Sequence, residues 1–337
     1  MRDSVAWKTT IYEIGTSEMG LTVAVQLSQF ASDVAEGLAG SGQKRLSSRY
    51  FYDDLGSSLF EAITLLPEYG LTRADERLLR SHAGEIASLA GRVSIVAELG
   101  SGTGKKTKHI LNAVTRQSRE VVYQPIDVSA AALAACGLEL QEVCEVQPVC
   151  GDWVEGLRAI ARTRLGDHPL LLLFLGSSIG NLDREALPGF FQGLKQYLRT
   201  GDFLLLGADL VKDPEIMLAA YDDPTGVTAA FNLNILGRMN RELNAHFDLR
   251  SFAHEVRWNE QDRCIEMHLL SCRDQLVHVA ALDITLRFRA GETIWTESSH
   301  KFSQPELDDY ARLSGFTTLA TWVDEEWPFA EMLWRVS

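Results

Sequence analysis

From residue 92 to about residue 210, short apolar runs alternate with amphipathic stretches. Val93–Leu99, Val121–Asp127, Glu145–Cys150, Leu170–Leu175 and Phe203–Gly207 read as strands. Between them lie stretches with helical spacing: residues 105–116, an Ala-rich segment opened by Ser129, and one carrying Phe190, Phe191, Leu194 and Tyr197. This alternation predicts a parallel sheet covered on both faces.

The pattern differs on either side. Residues 1–20 are mixed and read as loosely ordered, and Gly37–Gly42 as a hinge. Ser58-Leu59-Phe60-Glu61 has capping-box spacing for a short helix ended by Pro67. Thr72-Arg73-Ala74-Asp75 reads as the cap of a longer helix with Leu78, Leu79, His82 and Ile86 on one face. Residues 211–297 predict helices over Met217–Tyr221 and Thr228–Phe247, then strands over Cys264–Ser271 and Val277–Phe288, an insertion with its own sheet. Ser303–Glu306 opens a helix that Gly315 stops, and Phe316–Val323 with Phe329–Val336 reads as a hairpin. Residues 72–210 and 298–337 therefore form one expected domain, and residues 20–71 with 211–297 a smaller α+β one.

Composition narrows the function. The 337 residues carry a formal net charge of −14, which argues against a nucleic-acid partner. No apolar run is long enough to span a bilayer, and the N-terminus shows no secretory pattern, so a cytoplasmic protein is expected. Cys136, Cys144, Cys150, Cys264 and Cys272 lack zinc-like spacing and read as buried free thiols, with no metal expected.

The candidate chemistry begins at Glu98-Leu99-Gly100-Ser101-Gly102-Thr103-Gly104, a bend between a strand and a helix. Glycines there allow a sharp turn and close approach of a ligand to the main chain. The spacing is not that of a dinucleotide fingerprint or a phosphate-binding P-loop, which disfavours an NAD-linked oxidoreductase. Lys105, Lys106 and Lys108 crowd the first helical turn, where the dipole disfavours cations; at least one is expected to face an anionic ligand group. Asp127 ends the second strand, placed to grip ribose hydroxyls. Asp152 and Trp153 end the third, suited to an adenine amine and ring face. Each acid has a plainer role as a helix cap, but three such strand ends in order favour a nucleoside ligand.

These residues resemble the class I S-adenosylmethionine (SAM) methyltransferases. More narrowly, the chain resembles the histidine Nα-methyltransferases of the ergothioneine pathway, which form hercynine. The resemblance rests on Arg49–Asp53, Leu66–Tyr69, Glu98–Thr107, Pro125–Ser129, Gly176–Asn181, Gly207–Asp213 and Glu292–Glu297, and extends over about residues 49–337. It implies a Rossmann-like α/β core with a smaller substrate-binding domain, and SAM as cofactor with S-adenosylhomocysteine as product. Gly100, Gly102, Gly104, Lys106, Asp127, Asp152, Trp153 and Phe60 would serve the cofactor. Tyr69, Asn181 and Tyr221 would hold the amine and carboxylate of L-histidine, and Tyr52 would close the cofactor side. Tyr52, Asn181 and Tyr221 are the catalytic candidates. Glu297 would accept from the imidazole N–H, with Ser299 on the same strand face and Met267 against the ring. His268 should face the other way, and His300 reads as a surface or strand residue. Gly70-Leu71 stands where the family commonly has Tyr-Pro.

Methyl transfer to an amine moves positive charge from sulfur to nitrogen, so positioning and a polar pocket suffice. For repeated transfer, solvent or a tyrosine hydroxyl is expected to take the proton. Other readings are a methyltransferase for another aromatic amino acid, such as a tryptophan derivative, and a non-catalytic SAM-binding protein. A monomer is expected.

Overall fold

The computed structural model describes residues 16–118, 120–164, 166 and 168–337. The central sheet runs in the order Phe316–Asp324, Phe329–Val336, Phe203–Asp209, Leu170–Phe174, Ile95–Leu99, Val122–Asp127, then the short strands Glu145–Val146 and Val149–Cys150. All pairings are parallel except those of Phe329–Val336, which is antiparallel to both neighbours. The expected third strand is thus two dipeptides, both paired with Val122–Asp127, because Pro148 lacks the N–H a ladder needs. The expected terminal hairpin is present.

Alternation along the strands sorts their side chains onto two faces. Leu171, Leu173, Leu205 and Leu333 enter one apolar cluster; Leu170, Leu172, Leu204 and Leu206 enter the other. The first cluster continues through Phe51, Tyr69, Phe231, Met267 and Ile294, so the inserted lobe shares a core with one face of the sheet.

The inserted lobe holds a four-stranded sheet in the order Lys44–Arg45, Thr293–His300, Cys264–Ser271, Phe252–Asn259. Lys44–Arg45 ties the N-terminal segment to it, pairing in parallel with Ile294 and Trp295. Several details differ from expectation. Strand Phe252–Asn259, half-buried along nearly its whole length, was not expected. Val277–Phe288 is two strands around a 3₁₀ turn at Ala280–Leu282, and the second helix ends at Glu242 rather than near Phe247. The strand carrying Glu297 stays in the inserted sheet through His300, three residues beyond the expected boundary.

Helix starts also move. The helix expected at Ser58 begins at Asp54, capped by Asp53, whose Oδ1 accepts from Gly56 N at 2.7 Å. Helix Leu71–Ala90 starts one residue before the expected cap Thr72, and its N-cap is Gly70, which has no side chain to cap with; Asp75 is turned into the core. Of the residues expected to be loose, Thr16–Gly20 start helix Thr16–Ala39, and 1–15 lie outside the described residues. Gly37 belongs to that helix rather than to a hinge: a Cβ there would lie 2.1 Å from Arg45 O, so glycine lets the following strand cross close by. All five cysteines are free, but only Cys136 and Cys264 are buried, while Cys150 and Cys272 are exposed. Among the described residues, no helix is long and apolar enough to cross a membrane.

Candidate active site

Strand order reverses between Ile95–Leu99 and its neighbours Val122–Asp127 and Leu170–Phe174, so a crevice opens at their carboxyl ends. The glycine bend forms one wall. Gly100, Gly102 and Gly104 have φ of 69°, 52° and 70°, values that suit glycine. Asp127 braces the bend: its Oδ2 accepts from Gly102 N at 3.0 Å and its Oδ1 from Ser129 N at 2.9 Å. A Cβ on Gly104 would sit 2.6 Å from Cys136 Sγ and 2.8 Å from Leu140 Cδ1. Gly104→Val therefore combines a strained φ with a clash. It is expected to cost about 1–3 kcal/mol, read by chemical denaturation, and to weaken S-adenosylhomocysteine binding about tenfold or more in calorimetry.

Glu98 is fully buried beneath the bend. Its Oε2 accepts from Thr107 Oγ1 at 2.7 Å and from the Tyr123 hydroxyl. Burial pushes its carboxyl up to about 7 against those hydrogen bonds. The three crowded lysines meet the protein's own acids: Lys105 reaches Glu61 at 3.4 Å, Lys108 reaches Glu139 at 2.7 Å, and Lys106 pairs with buried Asp75. Each of the three thus has an acidic partner within the chain. Lys106 keeps 24% of its side chain exposed. Glu331 also faces this group, and burial with nearby Asp75 pushes it well up, which favours the neutral acid.

Asp152 takes its plainer role. It caps helix Trp153–Thr163 in a capping box, accepting from Glu155 N at 2.9 Å. Trp153 stands edge-on to Phe174 and Phe190, and its Nε1 lies 3.9 Å from where a Cβ on Gly100 would be. The ring therefore borders the glycine bend.

The second wall is aromatic. Tyr52, Phe60, Tyr69 and Tyr221 form a chain of edge-on contacts with centroids 5.6–6.4 Å apart, and Phe231 packs against Tyr52 and Phe60. Burial pushes the Tyr52, Tyr69 and Tyr221 phenols well up, so at neutral pH they are hydrogen-bond donors. Tyr52 feels the charges of both Glu297 and Asp127.

The floor comes from the inserted sheet. The pairing of Thr293–His300 with Cys264–Ser271 shifts register between Trp295 and Glu297. Trp295 opposes His268, and the two rings stack at 5.9 Å; Glu297 opposes Met267, and Ser299 opposes Ile265. Thr296 is the extra residue, held by hydrogen bonds to Asn232 Oδ1 at 2.7 Å and Met267 O at 2.9 Å. The bulge puts Glu297 on the face of Met267 and leaves His268 on the other, as expected for both. Burial pushes Glu297 up to about 7, and Lys301 pulls it down. His300 is a buried strand residue. Asn181 ends the 3₁₀ turn Ser178–Asn181; Gly180 there comes so close to the strand that a Cβ would lie 2.9 Å from His300 O.

Four groups have no role assigned from the sequence. Lys301, Asp209 and Lys212 form a buried network beneath Tyr221, joined by the half-buried Trp327. Lys301 Nζ donates to Asp209 Oδ2 at 2.9 Å, Ser299 Oγ at 2.9 Å and Tyr221 Oη at 3.0 Å. Lys212 Nζ and Trp327 Nε1 reach Asp209 Oδ1 at 2.6 Å and 2.9 Å. Trp327 also explains Gly70: a Cβ there would meet the indole at 2.2 Å. Asp209 and Lys212 lie in one of the resembling strings, but no local pattern marks Lys301.

An acid-led glycine bend at the switch point, with the last strand inserted antiparallel, defines a class I SAM-dependent methyltransferase. The family model described as "Histidine-specific methyltransferase, SAM-dependent" matches residues 30–336. The chain belongs to that family. It is 43% identical over 300 residues to the histidine N-alpha-methyltransferase of Mycobacterium tuberculosis, covering 88% of this chain and 92% of that one. It is likewise 43% identical over 296 residues to that of Mycolicibacterium smegmatis, covering 87% and 90%. Ergothioneine biosynthesis protein 1 of Neurospora crassa is 28% identical over 287 residues, 83% of this chain but 32% of that longer one.

Proposed function

We propose that the protein transfers three methyl groups in turn from SAM to the α-amine of L-histidine, giving hercynine and S-adenosylhomocysteine. The observation that carries the reading is the register shift that sets buried Glu297 opposite Met267 in the inserted sheet, with Tyr69 and Tyr221 packed edge-on nearby. SAM would lie along the glycine bend. Asp127 would take the ribose, Trp153 the adenine face with Asp152 at its edge, and Lys106 with Gly100 the methionine end. Phe60 and Tyr52 would cover it.

L-Histidine would place its imidazole between Met267 and Glu297, with Ser299 adjacent. Tyr69, Tyr221 and Asn181 would hold its amine and carboxylate. When bound, SAM supplies an electrophilic methyl; the chain's own residues fix the nitrogen in line with it and exclude water from one side. An indole N–H could also donate to Glu297, but an indole cannot take a cationic form as an imidazole can, so it would compensate the buried carboxylate less, which disfavours a tryptophan derivative. Every group invoked comes from one chain, so a monomer suffices.

The test is incubation with SAM and each free amino acid, followed by mass analysis. Histidine is expected to gain one, two and three methylene units. A gain on a different amino acid alone would transfer the activity to that substrate. SAM binding without any gain would indicate a non-catalytic binding protein.

A further inference from the structure

Lys301 has none of its side chain exposed, and its ammonium has three protons and three acceptors: Asp209 Oδ2, Ser299 Oγ and Tyr221 Oη. The two hydroxyls also bond each other at 2.7 Å. A hydroxyl has one proton, and this geometry leaves little freedom in its use. Lys301 occupies an acceptor position on both oxygens. One of the two hydroxyl protons is spent between them, and the other is left to be donated elsewhere. The buried charges alternate as Lys212, Asp209, Lys301, so the network carries one net positive charge behind that donor. Burial would raise the Asp209 carboxyl, but the two ammonium groups hold it low. Burial lowers Lys212 to about 8.

We propose that Lys301 is a positioning residue for substrate recognition: it turns the Tyr221–Ser299 hydroxyl pair into a one-proton donor backed by positive charge, selecting substrates with a free carboxylate. This rests on the placement of L-histidine against Tyr221, Ser299 and Glu297 given above. An amino acid amide or ester, lacking the anion, would gain little from the network. The groups facing Lys301 from the surrounding elements are Asp209, Lys212, Tyr69, Tyr221, Glu297 and Cys264. Of these, Glu297 and Lys212 titrate closest to neutrality, at about 7 and about 8, and Glu297 is the acid that feels Lys301 as its compensating charge.

The test compares wild type with Lys301→Met on L-histidine and on L-histidinamide. KM for L-histidine is expected to rise about 30-fold or more, from loss of charge-backed hydrogen bonds, while KM for the amide changes less than threefold. The acid limb of kcat/KM should move up by roughly one pH unit, because Glu297 loses its cation. S-adenosylhomocysteine affinity should stay within twofold. If Lys301→Met does not fold, Lys301→Arg keeps the charge and the Asp209 pair but alters the fork. It is expected to retain the pH limb and the preference for the acid over the amide, with a KM about tenfold higher. Equal loss on acid and amide, or an unmoved KM for L-histidine in folded Lys301→Met, would overturn the proposal. So would loss of the acid preference in folded Lys301→Arg. The placement of the substrate fails separately, if Tyr221→Phe and Ser299→Ala leave KM for L-histidine unchanged.

Discussion

Glu297→Ala is expected to lower kcat/KM for L-histidine about 100-fold while leaving S-adenosylhomocysteine affinity within twofold. The loss corresponds to roughly 2–3 kcal/mol, the range for a hydrogen bond to a charged partner in a sheltered site. It should fall mainly on KM, because the imidazole lies away from the reacting nitrogen. The effect depends on pH in a stated direction. Burial lifts Glu297 to about 7, so below that pH the acid is protonated and accepts the imidazole N–H poorly. In the wild type, kcat/KM should rise with pH through about 7, and Glu297→Gln should lack that component. Steady-state kinetics over the neutral range would check both, and a wild-type profile flat through 7 would contradict the assignment.

The sign for stability is opposite. The folded-state value lies above the ordinary 4.5, so the stability Glu297 contributes is fully present below about 4.5. It is lost as pH rises through 7. Without substrate, Glu297→Gln should therefore melt higher than wild type at pH 8 and little differently at pH 4.

Arg164→Met is expected to cost about 3–5 kcal/mol of stability and to leave KM for both substrates unchanged. Arg164 and Asp202 are buried at the edge of the sheet opposite the crevice, with side chains 3% and 1% exposed. The guanidinium donates to both Asp202 oxygens at 2.5 and 2.6 Å and to His168 O at 2.7 Å. Asp202 also accepts from Leu170 N and Arg199 N. Removing the cation leaves a buried carboxylate with only backbone partners, the costly half of such a pair. For a chain of this size the loss corresponds to a melting shift of roughly 4–7 °C. The double change Arg164→Met with Asp202→Asn removes the stranded charge and should recover part of it. A melting shift under 2 °C in the single variant would show that water reaches Asp202.

Much of the architecture was legible because its signals are local. The core strands are consecutive apolar runs, and burial on both faces demands such runs whatever surrounds them. Ser129 caps as expected, accepting from Ala132 N, because a cap needs only three residues of chain. Where a side chain had a distant use, the local signal misled. Thr72 and Asp75 have capping spacing, yet Asp75 is taken into the core by Lys106 and Gly176 N, the latter at 2.9 Å. Ser58 is passed over because Asp53 lies one turn earlier with Asn234 donating to it at 2.7 Å. Asp152 went to its cap, while Asp127 was drawn to the glycine bend 25 residues away.

The sequence by itself determined the glycine bend, its acids, and the order of strands and helices, because each depends on residues a few positions apart. Only the tertiary structure decided which face Glu297 occupies. Residues 295 and 297 share parity, and a regular strand would put Glu297 beside Trp295, with His268. The extra residue at Thr296 reverses that, and its partners, Asn232 and Met267, come from a helix and a strand far along the chain. Lys301 was likewise silent. A lone lysine after a strand reads as a solvated end, and only burial against Asp209, Ser299 and Tyr221 makes it part of the site.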